Sequence, residues 1–240
     1  MKKPNIQLFN QSCFDYLPTI PNNSVNLICI DPPYEISKEP GARLSGGIES
    51  LRVSMDFGEW DHDFVGLDIV VKQCYRILKP GGTFICFYDL WKLTTLDTYV
   101  SQAGFSAHRF IEYVKTNPVP INSKINYLTN AREIAITAVK GGNNTFHSEY
   151  DNGIYYYPIN HEPDRFHPTQ KPLDLIKALI CKHSDPEDLV LDCFSGSGTT
   201  AVACIDTNRN FVGCELSKDY FDKSMERINR KLKNRPFKLL

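Results

Sequence analysis

The sequence of 240 residues has no long hydrophobic run. No window approaches the roughly 18 apolar residues that a membrane-spanning helix needs, so we expect no membrane segment. Lys2 and Lys3 have no apolar segment behind them, which argues against a secretory signal.

Motifs for metal binding and redox chemistry are also missing. The eight cysteines contain no Cys-x-x-Cys pair, and four of them fall in or beside predicted strands, where a free cysteine behaves as a small buried hydrophobe. His161 and His167 are isolated from other metal ligands, and we interpret them as loop histidines. We therefore expect a cytoplasmic protein with reduced cysteines and no bound metal.

The sequence has little excess charge of either sign, because its net charge is -1. A broad basic footprint for capturing nucleic acid is therefore not indicated. A local basic run from Lys223 to Lys238 has a single acidic residue, Glu226. We interpret this run as the solvated face of a helix.

The order of apolar patterns predicts an α/β domain. Strand patterns alternate with helical patterns, which is typical of a Rossmann-like, doubly wound, mainly parallel sheet. Residues 105–115 and 131–139 are predicted to form an antiparallel edge. The length and the 42% apolar content fit a single domain over 1–240, with irregular insertions at 35–61 and 141–165.

One predicted helix has a clear stop signal. Apolar residues recur at helical spacing over 64–78, and Lys79-Pro80-Gly81-Gly82 follows. A basic last turn, a proline and a glycine pair are typical of a helix end. We therefore predict that the next strand begins at Thr83.

The functional interpretation depends on the end of a short buried strand, Val25 to Ile30. The four residues that follow are Asp31, Pro32, Pro33 and Tyr34. Each proline lacks an N–H donor, so acceptors outnumber donors at this strand end, and open α/β sheets bind their ligands at such ends. The pattern suits a substrate that brings its own N–H groups and lies against the ring of Tyr34. A simple strand-ending turn is the alternative.

A second apolar strand, Leu189 to Asp192, also ends in an acidic residue, and a glycine-rich turn follows it. Gly196 to Ala201 fits the G-x-G-x-x-G/A dinucleotide fingerprint. Glu215 ends the next strand 19 residues after Gly196, where a ribose-binding acid belongs. An NAD-binding Rossmann oxidoreductase is therefore one alternative, whereas a P-loop is excluded because no lysine follows the glycines.

Asp192 favours a cofactor without phosphates. Its carboxylate would repel a pyrophosphate at the start of the next helix. It would instead attract an ammonium or a sulfonium, with a charge-assisted hydrogen bond contributing about 1.5–3 kcal/mol. The helix start and the hydroxyls of Thr199 and Thr200 suit a carboxylate. A ligand with ammonium, carboxylate, sulfonium and ribose groups is S-adenosylmethionine.

Together, the two motifs resemble those of the amino-methyltransferases of DNA, in the beta arrangement where the catalytic motif precedes the cofactor motif. Further matches to the family occur in family order at residues 23–25, 76–82, 114–118 and 167–172. The resemblance runs along most of the chain and outweighs the oxidoreductase alternative. It implies a class I S-adenosylmethionine-dependent methyltransferase fold.

The resemblance also implies roles for single residues. Asp31, Pro32, Pro33 and Tyr34 would form the catalytic motif. The cofactor would be held by Asp192, Phe194, Gly196, Ser197, Gly198, Thr199, Thr200, Glu215, Thr169, Gln170, Lys171 and Ser12. Ser12 stands where many relatives have an aspartate, which implies a weaker grip on the cofactor, and Tyr113 stands where a tryptophan is usual.

The implied activity is site-specific methylation of the exocyclic amino nitrogen of adenine in DNA, after the base has been flipped out of the duplex. The family uses Asp at the first motif position mainly for adenine and Ser more often for cytosine. Cytosine-N4 methylation is therefore the second candidate. RNA or protein amide methylation and a non-catalytic DNA-binding module are further alternatives.

Target recognition is expected in the two irregular segments, because the sheet and helices are otherwise accounted for. Residue types there that contact base edges or phosphates are Arg43, Arg52, Asn143, Asn144 and Arg165. The segments leave little room for a recognition domain. We therefore expect a short recognition site, loose specificity, or help from a second copy of the chain in a homodimer.

Overall fold

The computed structural model describes residues 3–34, 65–119, 129–159, 165–167 and 169–234. Within these residues the strands are β1 Ile6–Asn10, β2 Val25–Ile30, β3 Leu78–Tyr88, β4 Ser106–Lys115, β5 Arg132–Val139, β6 Ile154–Tyr157, β7 Leu189–Asp192 and β8 Asn210–Glu215. The α-helices are α1 Cys13–Tyr16, α2 Leu67–Ile77, α3 Leu93–Ala103, α4 Leu173–His183, α5 Thr199–Thr207 and α6 Lys218–Lys233. Short 3-10 turns at Leu17–Thr19 and Leu90–Lys92 follow α1 and precede α3.

The strands form one eight-stranded sheet in the order β1-β8-β7-β2-β3-β5-β4-β6. Every neighbouring pair is parallel except the two pairs that involve β5. The predicted antiparallel pairing of β4 with β5 is confirmed. The sheet does not end there, because β6 pairs parallel with β4 and forms the edge. The second irregular segment therefore contains a strand that the sequence analysis did not predict.

Helices cover both faces of the sheet, as the doubly wound fold requires. Alternate residues of a strand point to opposite faces, and in β2 Ile28 packs with α2 and α3 while Leu27 packs with α4 and α5. Both side chains are fully buried. The central strands thus carry apolar residues on both faces, which explains why β2 is a continuous apolar run rather than an alternating one.

The predicted stop after α2 is partly wrong. The helix ends at Ile77, but β3 begins at Leu78, so Lys79-Pro80-Gly81-Gly82 lies inside the strand. The glycines are required by close packing of neighbouring backbone. A Cβ on Gly81 would lie 2.2 Å from the carbonyl oxygen of Asn143, and one on Gly82 would lie 3.0 Å from that of Asn26. The glycine pair is therefore explained by close backbone packing within the sheet and not by the end of a helix.

The described parts of the chain contain no helix that is both long and apolar enough to cross a membrane. All eight cysteines are free thiols, and each of them except Cys181 is buried.

Candidate active site

The two acidic strand ends of the sequence lie side by side. β2 and β7 are hydrogen-bonded neighbours, with Ile28 opposite Leu191, so both strands deliver their last residues to the same edge of the sheet. Asp31 and Asp192 line one cavity of about 630 Å³. This volume falls within the range of about 300–1,000 Å³ that is usual for small-ligand sites.

The cavity collects almost all the residues that the sequence analysis selected. Every residue named for the catalytic and cofactor roles lines it except Gly198. Gly198 is instead the N-cap of α5, with φ +71°, and it packs against Ser224 and Ile228 of α6.

Asp31 is held by two donors of the chain itself. The Tyr34 hydroxyl donates to Oδ1 of Asp31, and the Lys171 ammonium donates to Oδ2. Burial raises the pKa of Asp31, and Lys171 opposes this shift while Glu133 reinforces it. The catalytic motif therefore contains a buried ion pair, and Lys171 is directed at the catalytic motif.

A second carboxylate stands behind this pair. Glu133, on β5, forms ion pairs with two lysines, with Lys171 Nζ at 2.9 Å and with Lys115 Nζ at 2.8 Å. Burial alone would raise the pKa of Glu133, but the two lysines outweigh burial and lower it to about 2. The carboxylates of Asp31 and Glu133 raise the pKa of Lys171 above its ordinary value, although burial alone would lower it. The lowered pKa of Glu133 and the raised pKa of Lys171 keep these two groups ionised at neutral pH.

Asp192 has a different environment. Its Oδ2 accepts from the Thr200 hydroxyl at 2.7 Å, and its Oδ1 accepts from the Phe194 N–H at 3.0 Å. Within the described part of the chain it forms no ion pair. Burial raises its pKa to about 7, and the nearby carboxylates of Asp31 and Glu215 add to the shift. A cationic ligand group would supply the charge that this carboxylate lacks.

The glycine-rich loop is tied to the end of β8. Glu215 accepts from the Gly196 N–H at 2.7 Å with one oxygen and from the Ser217 N–H at 2.9 Å with the other. Ser195 Oγ is buried, and no hydrogen-bond partner is found for it among the residues that the structure describes. A polar ligand in the cavity would satisfy this hydroxyl.

Ser12 caps α1 at the wall of the cavity. Its hydroxyl accepts from the Asp15 N–H at 3.2 Å and donates to the Asp15 carboxylate at 2.8 Å. Ser12 thus combines an N-cap role with a place beside the ligand space.

Two residues at the site were not selected by sequence reasoning. Glu133 was missed, although a charged residue in the apolar pattern of β5 was a usable signal. His167 lies in a loop, as predicted, but it also lines the cavity, and its ring lies 4.4 Å from that of Tyr220, centroid to centroid. Burial lowers the pKa of His167 to about 4, so its imidazole is neutral at pH 7.

Among the predicted DNA-contacting residues, Asn143 lies away from the catalytic motif. The backbone of Asn143 packs on Gly81, near the start of β3, whereas Cys86 pairs with Ile30 beside the catalytic motif. At about 3.3 Å per strand residue, Gly81 and Cys86 are roughly 17 Å apart along β3. Contacts of Asn143 and Asn144 with DNA remain a prediction.

Of the three predicted arginines, one is described by the structure. Arg165 is exposed, and its Nε donates to the carbonyl of His167, which lines the cavity. Arg43 and Arg52 lie outside the described residues. Among those that are described, no three His, Cys, Asp or Glu side chains are grouped to hold a metal ion.

Comparisons with known proteins agree with this geometry. A family model described as DNA methylase, covering N6 and N4 methyltransferases, matches residues 25–226. The Type II methyltransferase M2.MboI of Moraxella bovis is 30% identical over 245 residues, covering 94% of this chain and 88% of that protein.

Solved structures show the same likeness. The crystal structure of an M1.HpyAVI–SAM complex matches with a TM-score of 0.71 and 28% identity, covering 92% of this chain and 99% of that chain. The cytosine-N4-specific PvuII DNA methyltransferase matches with a TM-score of 0.73 but 17% identity, over 98% of this chain and 96% of that chain, so it supports the fold alone. The eight-stranded sheet with its antiparallel β5 is that of the class I methyltransferases. The chain belongs to the DNA methylase family of N6 and N4 amino-methyltransferases.

Proposed function

We propose that this protein transfers a methyl group from S-adenosylmethionine to the N6 amino nitrogen of adenine in DNA, after flipping the base out of the duplex. The observation that carries the proposal is the placement of Asp31 and Asp192 on neighbouring strands, facing one cavity. An amine held at the first carboxylate would face a cofactor seated at the second.

The residues around Asp192 fit the methionine end of the cofactor. S-adenosylmethionine supplies an electrophilic methyl group when it is bound. Asp192 would hold its ammonium, and the start of α5, with the hydroxyls of Thr199 and Thr200, would hold its carboxylate. Glu215 would accept from the ribose hydroxyls, because each of its oxygens retains acceptor capacity beyond the backbone N–H that it already binds.

The catalytic motif fits an amino group that brings two N–H bonds. Asp31 and the carbonyl oxygen of Pro32 would accept these bonds, which draws the delocalised lone pair back to the nitrogen and makes it nucleophilic. As the nitrogen–carbon bond forms, the bond from the methyl carbon to sulfur would break, and Asp31 would accept the proton that the methylated nitrogen loses. The ring of Tyr34 would stack on the flipped base, and a base on an aromatic ring contributes about 1–3 kcal/mol. Stacking of this size offsets much of the few kcal/mol that flipping costs.

The direct test is to identify the methylated nucleoside. Unmethylated DNA is treated with the protein and methyl-labelled S-adenosylmethionine, digested to nucleosides and analysed by mass spectrometry. We expect the label in deoxyadenosine, on N6, and none when Asp31→Ala replaces the wild-type protein. Absence of a labelled nucleoside with the wild-type protein would contradict the proposal and leave a DNA-binding module as the better interpretation.

Cytosine-N4 methylation is the second candidate. The fold match to a cytosine-N4-specific enzyme supports it, and the chemistry of the amino group is the same. Asp31, where Ser is more often associated with cytosine, favours adenine. The same digest separates the two, because the label then appears in deoxycytidine.

Target choice would come from the two insertions. Residues 35–61 lie outside the described residues. In the second insertion, β6 runs parallel to β4 and therefore ends on the side of the sheet where the cavity lies. Deleting residues 43–54 should weaken DNA binding more than binding of S-adenosylmethionine. Two calorimetric titrations measure this difference, and sedimentation of the DNA complex would report whether a homodimer forms.

A further inference from the structure

Both carboxylate oxygens of Asp31 already accept a hydrogen bond from the chain itself. Tyr34 donates to one and Lys171 donates to the other. The amino group of a target base therefore competes with one of these donors. We infer that the base displaces the Tyr34 hydroxyl, while Lys171, held by Glu133, stays in place as a positioning residue that keeps Asp31 ionised and oriented. The inference rests on the function proposed above.

Lys171 is the donor that is harder to displace. Its side chain is 9% exposed, and its ammonium lies between Asp31 and Glu133. Moving it away would leave two partly buried carboxylates without the cation between them, which is unfavourable. The Tyr34 hydroxyl is a neutral donor, and replacing its O–H bond by an N–H bond from the base keeps the number of hydrogen bonds at Asp31 constant.

Lys171 is fixed from behind by rigid elements. Glu133 lies on β5, and its second lysine partner, Lys115, lies on the neighbouring strand β4. The four side chains carry two positive and two negative charges, so the network is neutral as a whole. A neutral, strand-mounted network can hold a carboxylate at one orientation without a net buried charge.

The direction of any pH effect depends on all charged and titratable neighbours of Asp31. Among the described residues these are Tyr34 and Cys29 near it in the chain, Cys86 on β3, Glu133 on β5, Lys171 before α4 and Asp192 on β7. Lys171 is the cation of this set, and Glu133 is the anion that opposes it. Removing Lys171 should therefore raise the pKa of Asp31, and removing Glu133 should lower it.

Lys171→Met should raise the pKa of Asp31, because the stabilising cation is lost. Methyl transfer requires ionised Asp31. The acidic limb of the pH–rate profile, where the rate falls on acidification, should therefore move to higher pH by about one to three units. Glu133→Gln should move the same limb downward, since it removes a neighbouring anion and leaves Lys171 to Asp31 alone. Lys171→Arg keeps the charge and should return the limb towards its wild-type position.

The experiment is a single-turnover measurement of methyl transfer with the cofactor at saturation, over a range of pH, for the wild type and these three variants. Lys177→Met is the matched control. Lys177 lies on α4, pairs with Asp206 and is not among the described residues that line the cavity. We expect no shift of the limb for this control.

Opposite shifts for Lys171→Met and Glu133→Gln support the inference, whereas shifts in the same direction, or none, overturn it. If Lys171→Met does not fold, the nearly isosteric Glu133→Gln still tests the inference, because a downward shift of the limb is required of it alone. A titration of the Asp31 carboxyl by ¹³C NMR, assigned with Asp31→Asn, gives the same comparison without turnover. It must show the opposite pKa shifts for the inference to hold.

Failure of the inference differs from failure of the proposed function. If the wild-type protein methylates DNA and the limbs do not move, Lys171 has only a structural role. If the wild-type protein transfers no methyl group to DNA, the proposed function fails, and the NMR titration still reports whether Lys171 and Glu133 set the pKa of Asp31.

Discussion

Asp31 and Asp192 end neighbouring strands of one sheet and face one cavity, yet the chain treats their charges differently. Asp31 has a lysine of its own, Lys171, within a network of four charges. The donors to Asp192 among the described residues are neutral, the Thr200 hydroxyl and the backbone N–H of Phe194. Burial raises the pKa of both carboxyls, and the pKa of Asp192 reaches about 7.

The difference matches what each carboxylate would bind. A buried carboxylate without a cation gains most from a ligand that brings a positive charge, such as the ammonium of S-adenosylmethionine. A carboxylate whose charge is already balanced suits a neutral amine, because no net charge has to be buried with the substrate. The comparison therefore supports the proposed roles of the two carboxylates on electrostatic grounds, independently of the sequence motifs.

Asp31→Ala should abolish methyl transfer without affecting cofactor binding. We expect methyl transfer to fall at least about a thousandfold, within the range of about 10²–10⁴ for loss of a catalytic proton acceptor. Binding of S-adenosylmethionine should stay close to wild type, because Asp192 is intact. Radiolabel transfer and calorimetry measure the two effects, and a near wild-type transfer rate would remove Asp31 from the mechanism.

Asp192→Asn should weaken cofactor binding. Loss of a charge-assisted hydrogen bond of about 1.5–3 kcal/mol predicts an affinity for S-adenosylmethionine that is about 10- to 150-fold weaker. Calorimetry at fixed pH measures it.

The pH dependence of the same binding sharpens the assignment. A bound ammonium favours ionised Asp192, so below a pKa of about 7 each unit of acidification should weaken wild-type binding up to about tenfold. Above this pKa the affinity should level off. Asp192→Asn should lose this dependence, and an unchanged slope in the variant would assign the titration to another group.

Tyr34→Ala should weaken capture of the base and leave the cofactor end unchanged. A lost stacking contribution of about 1–3 kcal/mol predicts roughly 5- to 150-fold weaker binding of DNA with a flipped target. Tyr34→Phe is the control, because it keeps the ring and removes only the hydroxyl that contacts Asp31. The fluorescence of 2-aminopurine at the target position reports flipping, and an equal rise with Tyr34→Ala would exclude stacking.

Ser12→Ala should have the smallest effect. Loss of the N-cap of α1 predicts a decrease of about 1 kcal/mol in the free energy of unfolding. Cofactor affinity should fall by less than it does in Asp192→Asn, because no charge is removed. Chemical denaturation measures the first change, and a larger loss of affinity than in Asp192→Asn would make Ser12 a principal cofactor residue.

The parts of the fold with strong local signals were predictable. The strands that end at Asp31 and Asp192 are short apolar runs closed by prolines or glycines, and the helix after Gly198 begins where the glycine-rich turn predicts it. In contrast, β6 is only four residues long within an irregular segment, and although its Ile and Tyr residues favour a strand, its place in the sheet is set by pairing with β4. The start of β3 at Leu78 likewise depends on the backbone that packs on Gly81.

The sequence by itself determined the two acidic strand ends, their order and the glycine turn, because strand periodicity and turn chemistry are encoded within a few residues. Only the tertiary structure decided which charges meet at those ends. Lys171 reaches Asp31 across 140 positions of the chain, and Glu133 joins them from a third strand. Pairing between such distant residues is set by strand order and register, and these follow from packing of the whole sheet rather than from any local pattern.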